Sequence, residues 1–80
     1  MRNTRKIVAV VDRAVKENDS TVLIQGTFYD EASDRVFTTL VKGSKRINLT
    51  LSGAEAESNS DNVGVKIKKA ITKLDDQPIG

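Results

Sequence analysis

Residues 21–42, TVLIQGTFYDEASDRVFTTLVK, decide the fold. Two runs rich in β-branched and aromatic side chains, 21–29 and 35–42, flank the polar cluster Asp30-Glu31-Ala32-Ser33-Asp34. Short polar side chains of that kind bond the local backbone and favour a turn. The stretch therefore predicts an antiparallel hairpin. Setting Phe28 opposite Val36 brings Ile24 opposite Leu40 and Gly26 opposite Thr38. One face then carries Val22, Ile24, Phe28, Val36 and Leu40, a coherent core face that a one-residue slip would destroy. The other face carries Leu23, Gln25, Thr27, Tyr29, Arg35, Phe37, Thr39 and Val41, neither plainly polar nor plainly apolar.

Gly43-Ser44 breaks the second run, and 45–51, KRINLTL, alternates cleanly. Ile47, Leu49 and Leu51 point one way; Arg46, Asn48 and Thr50 point the other. Upstream, 5–16 (RKIVAVVDRAVK) fits two patterns. Ile7, Val10, Val11, Ala14 and Val15 make a helical stripe, but the density of β-branched residues favours a strand leading into a further hairpin. Downstream, Ser52 and Glu55 have capping-box spacing, and the polar stretch 52–62 predicts a loop with one helical turn. Val63, Ile67, Ala70, Ile71 and Leu74 then recur at helical spacing, with Ser60 or Asp61 to cap the start. The sum is an α+β chain. A four-stranded antiparallel meander is packed by one C-terminal amphipathic helix in a single domain, 1–80, with a flexible basic arm at 1–5 and a frayed tail at 76–80.

Composition narrows the chemistry. The 80 residues include no Cys and no His, so thiolate and imidazole metal sites, disulfides and the usual near-neutral acid–base group are all missing. No nucleophile, P-loop or dinucleotide motif occurs. The carboxylates sit at turns, where solvation leaves them ordinary. Asp30 and Asp34 lack the glycine and closing glutamate of a calcium loop. The expectation is a non-enzymatic protein without metal or cofactor. No apolar run is long enough to span a membrane or serve as a signal core, so a cytoplasmic protein is expected.

The formal charge is +2, yet acids fall at turns and bases on elements. A basic face can therefore exist despite the modest total. Tyr29, Arg35 and Phe37 share a predicted sheet face, with Arg46 extending it. Aromatic rings with guanidinium groups on an open sheet suit single-stranded nucleic acid, because bases stack on the rings and cations track phosphates. Lys42 and Lys45 add positive charge, and Arg2, Arg5 and Lys6 on the arm add phosphate contacts. A rival reading starts from Leu23, Phe37 and Val41 as the interface of a homo-oligomer or the contact with a target protein. Small chains without cross-links often complete their core by association. Lys66, Lys68, Lys69 and Lys73 have the chemistry to bind phosphate or an acidic partner, but the preferred reading is a solvated face of the last helix with snorkelling lysines.

Val22-Leu23-Ile24 and Lys42-Gly43-Ser44-Lys45-Arg46-Ile47-Asn48-Leu49, in this element order, resemble the single-strand-binding ββββα modules of transcriptional-coactivator and Whirly type. The resemblance is one of topology over most of the chain. It implies an open sheet that binds single-stranded nucleic acid. The polar stretch 52–62 departs from that pattern. In length and composition the chain also resembles small phage and mobile-element proteins that bind and block a target or assemble into particles.

Overall fold

Five of the residues between 7 and 15 are β-branched, each costing a helix at most ~0.7 kcal/mol relative to Ala. Burying a Val or Ile side chain returns ~1.5–3 kcal/mol. In the computed structural model, which describes residues 2–78, burial wins: Thr4–Asn18 is a helix, α1, that buries Ile7, Val11, Ala14 and Val15. Asn3 caps it by accepting from the Lys6 N–H at 3.1 Å. Asp12, expected in a strand, pairs instead with Lys16 one turn on. The sheet accordingly has three strands rather than four, and the likeness to the ββββα modules does not extend to its first element.

The strands are β1 (Leu23–Asp30), β2 (Arg35–Lys42) and β3 (Lys45–Ser52), an antiparallel meander in the order β1-β2-β3. The α+β class, the meander and the C-terminal helix stand as the sequence predicts. The register of the first hairpin does not. Ile24 faces Leu40 as expected, but a bulge between Ile24 and Gly26 shifts everything beyond it by one residue. Thr27 meets Thr38, Phe28 meets Phe37 and Tyr29 meets Val36. A glycine inside a strand is a usual mark of a bulge. The extra residue exchanges the two aromatics: Tyr29 turns toward the core and Phe28 turns outward.

The bulge also has a use. Thr38 is 2 % exposed, and its hydroxyl donates to the Gly26 carbonyl at 3.0 Å. That uses its single proton, so the Thr27 hydroxyl is the donor in their 3.0 Å contact. Gly43, at φ 62°, supplies the positive φ that the two-residue β2–β3 turn requires.

After β3 a short helix, α2 (Gly53–Ser58), carries the complete Ser52/Glu55 capping box. The stretch predicted as a loop is therefore mostly helical. Asn59 in the left-handed region ends it, and α3 (Asp61–Asp75) begins at the Ser60 cap. Its stripe is the predicted one: Val63, Ile67, Ala70, Ile71 and Leu74 are buried. α3 packs on α1 and β3, and both helices lie over the sheet face that presents Val36, Leu40 and Leu51. Among the described residues no element lies on the opposite face.

Ion pairs and hydrogen bonds fasten each end of the described chain to the body. Arg2 donates to both Asp34 oxygens, at 2.6 and 3.1 Å, and to Glu57 at 3.2 Å. Tyr29 Oη donates to Asp34 at 2.7 Å, and the Gly53 N–H reaches the Asp34 carbonyl at 2.8 Å. Of the segment 1–5 expected to be a flexible arm, Arg2 is pinned and Thr4 and Arg5 are helical, while Met1 lies outside the described residues. The tail is engaged too. Gln77 lays its amide along the β3 edge, accepting from the Arg46 N–H at 3.2 Å and donating to the Arg46 carbonyl at 2.6 Å. Residues 79 and 80, the end of the predicted frayed tail, lie outside the described residues.

Candidate functional site

The uncovered sheet face is the place to look for a site. Alternation along β2 sends Arg35, Phe37, Thr39 and Val41 outward while Val36, Thr38 and Leu40 go in. From β3 come Arg46, Asn48 and Thr50, and from β1 Leu23, Gly26 and Phe28. Phe28 and Phe37 stand directly opposite each other, 63 % and 42 % exposed. Beside them lies a shallow open groove of about 600 Å³, floored by Gly26 and Thr39 and walled by the two rings, Asn48 and Thr50. Nothing lies within 4 Å of where a Cβ on Gly26 would stand, so the floor is open there. The Thr39 hydroxyl donates to Asn48 Oδ1 at 2.9 Å and joins the groove's floor to that wall. At the far end Leu23, 67 % exposed, faces Val41, with Arg46 across from Val41 on the next strand.

The predicted site residues divide sharply. Arg35, Phe37 and Arg46 share the open face, and among the described residues neither arginine has a carboxylate within ion-pair distance. Asp30, paired with Arg35 in the ladder, turns its carboxylate back into the turn, onto the Ala32 N–H and the Ser33 hydroxyl. Tyr29 does not reach this face: its phenol sits on Asp34, which with burial raises its pKa. The ring sequence reasoning missed is Phe28, and the signal that could have found it is Gly26.

Several predicted cations are engaged elsewhere. Lys42 Nζ holds Asp19 and Asp75, each at 2.9 Å, and those bonds raise its pKa. Asp19 falls from an ordinary 3.8 to about 2, chiefly through the Thr21 hydroxyl and then Lys42. Lys45 Nζ caps the Asp75 carbonyl at the end of α3 at 2.8 Å, where the helix dipole favours a cation. Arg2 is held charged by its bond to Asp34, and Asp34 is held below the ordinary carboxylate range by Arg2 and then Tyr29. Arg5 and Lys6 are exposed on α1. Of the predicted interface residues, Leu23, Phe37 and Val41 do share one face.

Among the described residues no group of three His, Cys, Asp or Glu is placed to hold a metal ion. No helix there is long and apolar enough to cross a membrane. The class the fold and face define is an α+β module with one helix-covered sheet surface and one open, aromatic-bearing surface. Comparison with protein-family models, with curated proteins and with solved structures gives no match in any of the three.

Proposed function

We propose that the chain is a non-enzymatic binding module whose open sheet face takes single-stranded nucleic acid. The observation that carries this reading is the exposed Phe28–Phe37 pair, with Arg35 and Arg46 on the same surface and, among the described residues, in no ion pair. Each base offers a π-face, and stacking on an aromatic side chain contributes ~1–3 kcal/mol per base. The two arginines lie at opposite ends of the face, in position to meet phosphates or stack in turn. The groove's Thr and Asn side chains supply hydrogen bonds to base edges.

The test is an anisotropy titration with a labelled single-stranded oligonucleotide at low and physiological salt. Salt-dependent binding is expected, with a loss of about ten-fold or more in a Phe28→Ala/Phe37→Ala double variant, the equivalent of at least one lost stacked base. No binding at low salt, or equal binding by the double variant, would defeat the reading.

A second reading is favoured by Leu23, which nothing in the nucleic-acid reading requires to be apolar. With Val41 and the two phenylalanines it forms an apolar surface that a second copy or a protein target can cover. In that case the native mass in solution exceeds one chain and Phe37→Asp yields monomer. An assembly of unchanged mass in that variant would remove this face from the contact.

A further inference from the structure

The open groove has a neighbour across β3. Asn48, Leu49 and Thr50 line both the groove and a second depression of about 230 Å³ on the far side of that strand, which α3 closes with Lys66, Lys69 and Lys73. β3 is an edge strand, so its own width is all that separates the two. Lys66 is committed to Glu55 at 2.8 Å. Lys69 and Lys73 stand one turn apart and exposed, and among the described residues neither has a carboxylate within ion-pair distance.

The backbone of the edge is partly closed to a pairing strand. Gln77 occupies the N–H and carbonyl of Arg46, and Glu55 occupies the N–H of Ser52 at 2.8 Å. Outward groups recur every second residue along a strand, so Asn48 and Thr50 are what remains between them. The free backbone there is short, and beyond it the depression is bounded by the α3 lysines.

We infer that a nucleic-acid strand with bases on Phe28 and Phe37 crosses β3 at Asn48 and Thr50 and lays its phosphates against Lys69 and Lys73. This rests on the reading of the open face given above. Lysine suits the role as a mobile point charge on a long stem, matching a phosphate without reading the base. The strand's direction is thereby set, running from β2 over β3 toward α3.

Each phosphate contact to a single strand adds about 0.7 to the slope of log affinity against log salt. For a labelled oligothymidylate, the Lys69→Gln/Lys73→Gln variant should show a slope smaller by about 1.4, with weaker binding at every salt concentration. A charge-matched control, Arg13→Gln/Lys68→Gln, should keep the wild-type slope. An unchanged slope in the first variant, or an equal fall in the control, overturns the lysine track. If Phe28→Ala/Phe37→Ala weakens binding about ten-fold or more in that case, the open-face reading survives without it. Absence of wild-type binding at low salt overturns both.

Discussion

The two faces of the sheet are made by the same strands, and β2 contributes alternate residues to each. Val36 and Leu40 are fully buried beneath α1 and α3, while Phe37, between them in sequence, stands 42 % exposed. On the covered face, even the polar Thr38 has its hydroxyl satisfied. Several carboxylates and cations at the margins of the covered side are paired: Arg2 with Asp34 and Glu57, Lys42 with Asp19 and Asp75, Lys66 with Glu55. On the open face the rings stand exposed, and among the described residues the guanidinium groups of Arg35 and Arg46 have no carboxylate within ion-pair distance. One surface is built to be finished by the chain itself, and the other has the composition of a surface finished by something else.

That contrast can be broken by mutation. Leu40→Ala should lower the urea-derived stability by ~2–5 kcal/mol, a cavity penalty in a fully buried site. Phe37→Ala, one face over, should cost about 1 kcal/mol or less. Equal losses at the two positions would mean that the open face is also packed, by association.

Gly53→Ala comes next. A Cβ at Gly53 would run into Asp34 Oδ1 and the Tyr29 ring, and would crowd the Arg2 stem. Overpacking of this kind costs ~1–3 kcal/mol. The Arg2–Asp34–Tyr29 cluster should open, and Tyr29 should then titrate nearer its ordinary value, as read by ultraviolet absorbance. An unchanged tyrosine titration would show that the cluster gives way elsewhere.

The smallest effect lies in acid. Asp19, Asp34, Glu55 and Glu57 are all held below their ordinary pKa values in the folded chain. For Glu55, burial pushes upward, but the Lys66 ammonium and the Ser52 N–H and hydroxyl outweigh it. For Glu57 the Asn3 N–H comes first, with Arg2 adding to it. Depressed folded values mean that these groups stabilise the fold above their ordinary pKa and that this contribution is lost as pH falls through the folded values. For Asp19 the window runs from 3.8 down to about 2. Stability followed by circular dichroism should hold near neutrality and decline below the ordinary carboxylate values, 4.5 for the glutamates and 3.8 for the aspartates. Asp34→Asn should flatten part of the decline, and an acid limb of unchanged shape in that variant would contradict the assignment.

How much was legible follows from where each cause sits in the chain. The α3 stripe, the β3 alternation and the Ser52/Glu55 box are local patterns, and each appears where its spacing puts it. For α1 the period was present in Ile7, Val11, Ala14 and Val15, but intrinsic preference pointed to a strand. Packing against α3, which no local window contains, decided the matter. The bulge was half legible, since Gly26 marked a position where register can slip, though not that it does. For the candidate site, Phe37, Arg35 and Arg46 follow from alternation alone. The swap of Tyr29 for Phe28 follows from the bulge. The capture of Arg2 and Lys42 depends on partners far away in sequence, Asp34, Glu57 and Asp75, and no spacing announces it.

The Gln77 amide on the Arg46 backbone has a consequence for crowding. Three-stranded sheets have two raw edges, and at high concentration raw edges zip together into fibres. Here β1 is kinked by its bulge, and β3 is stoppered at both ends, by a tail glutamine and a helix-cap glutamate, with two free outward residues between. In a concentrated solution these stoppers leave a second copy only the backbone of Asn48 and Thr50 to pair with on that edge, too short a stretch to knit neighbouring copies into one sheet.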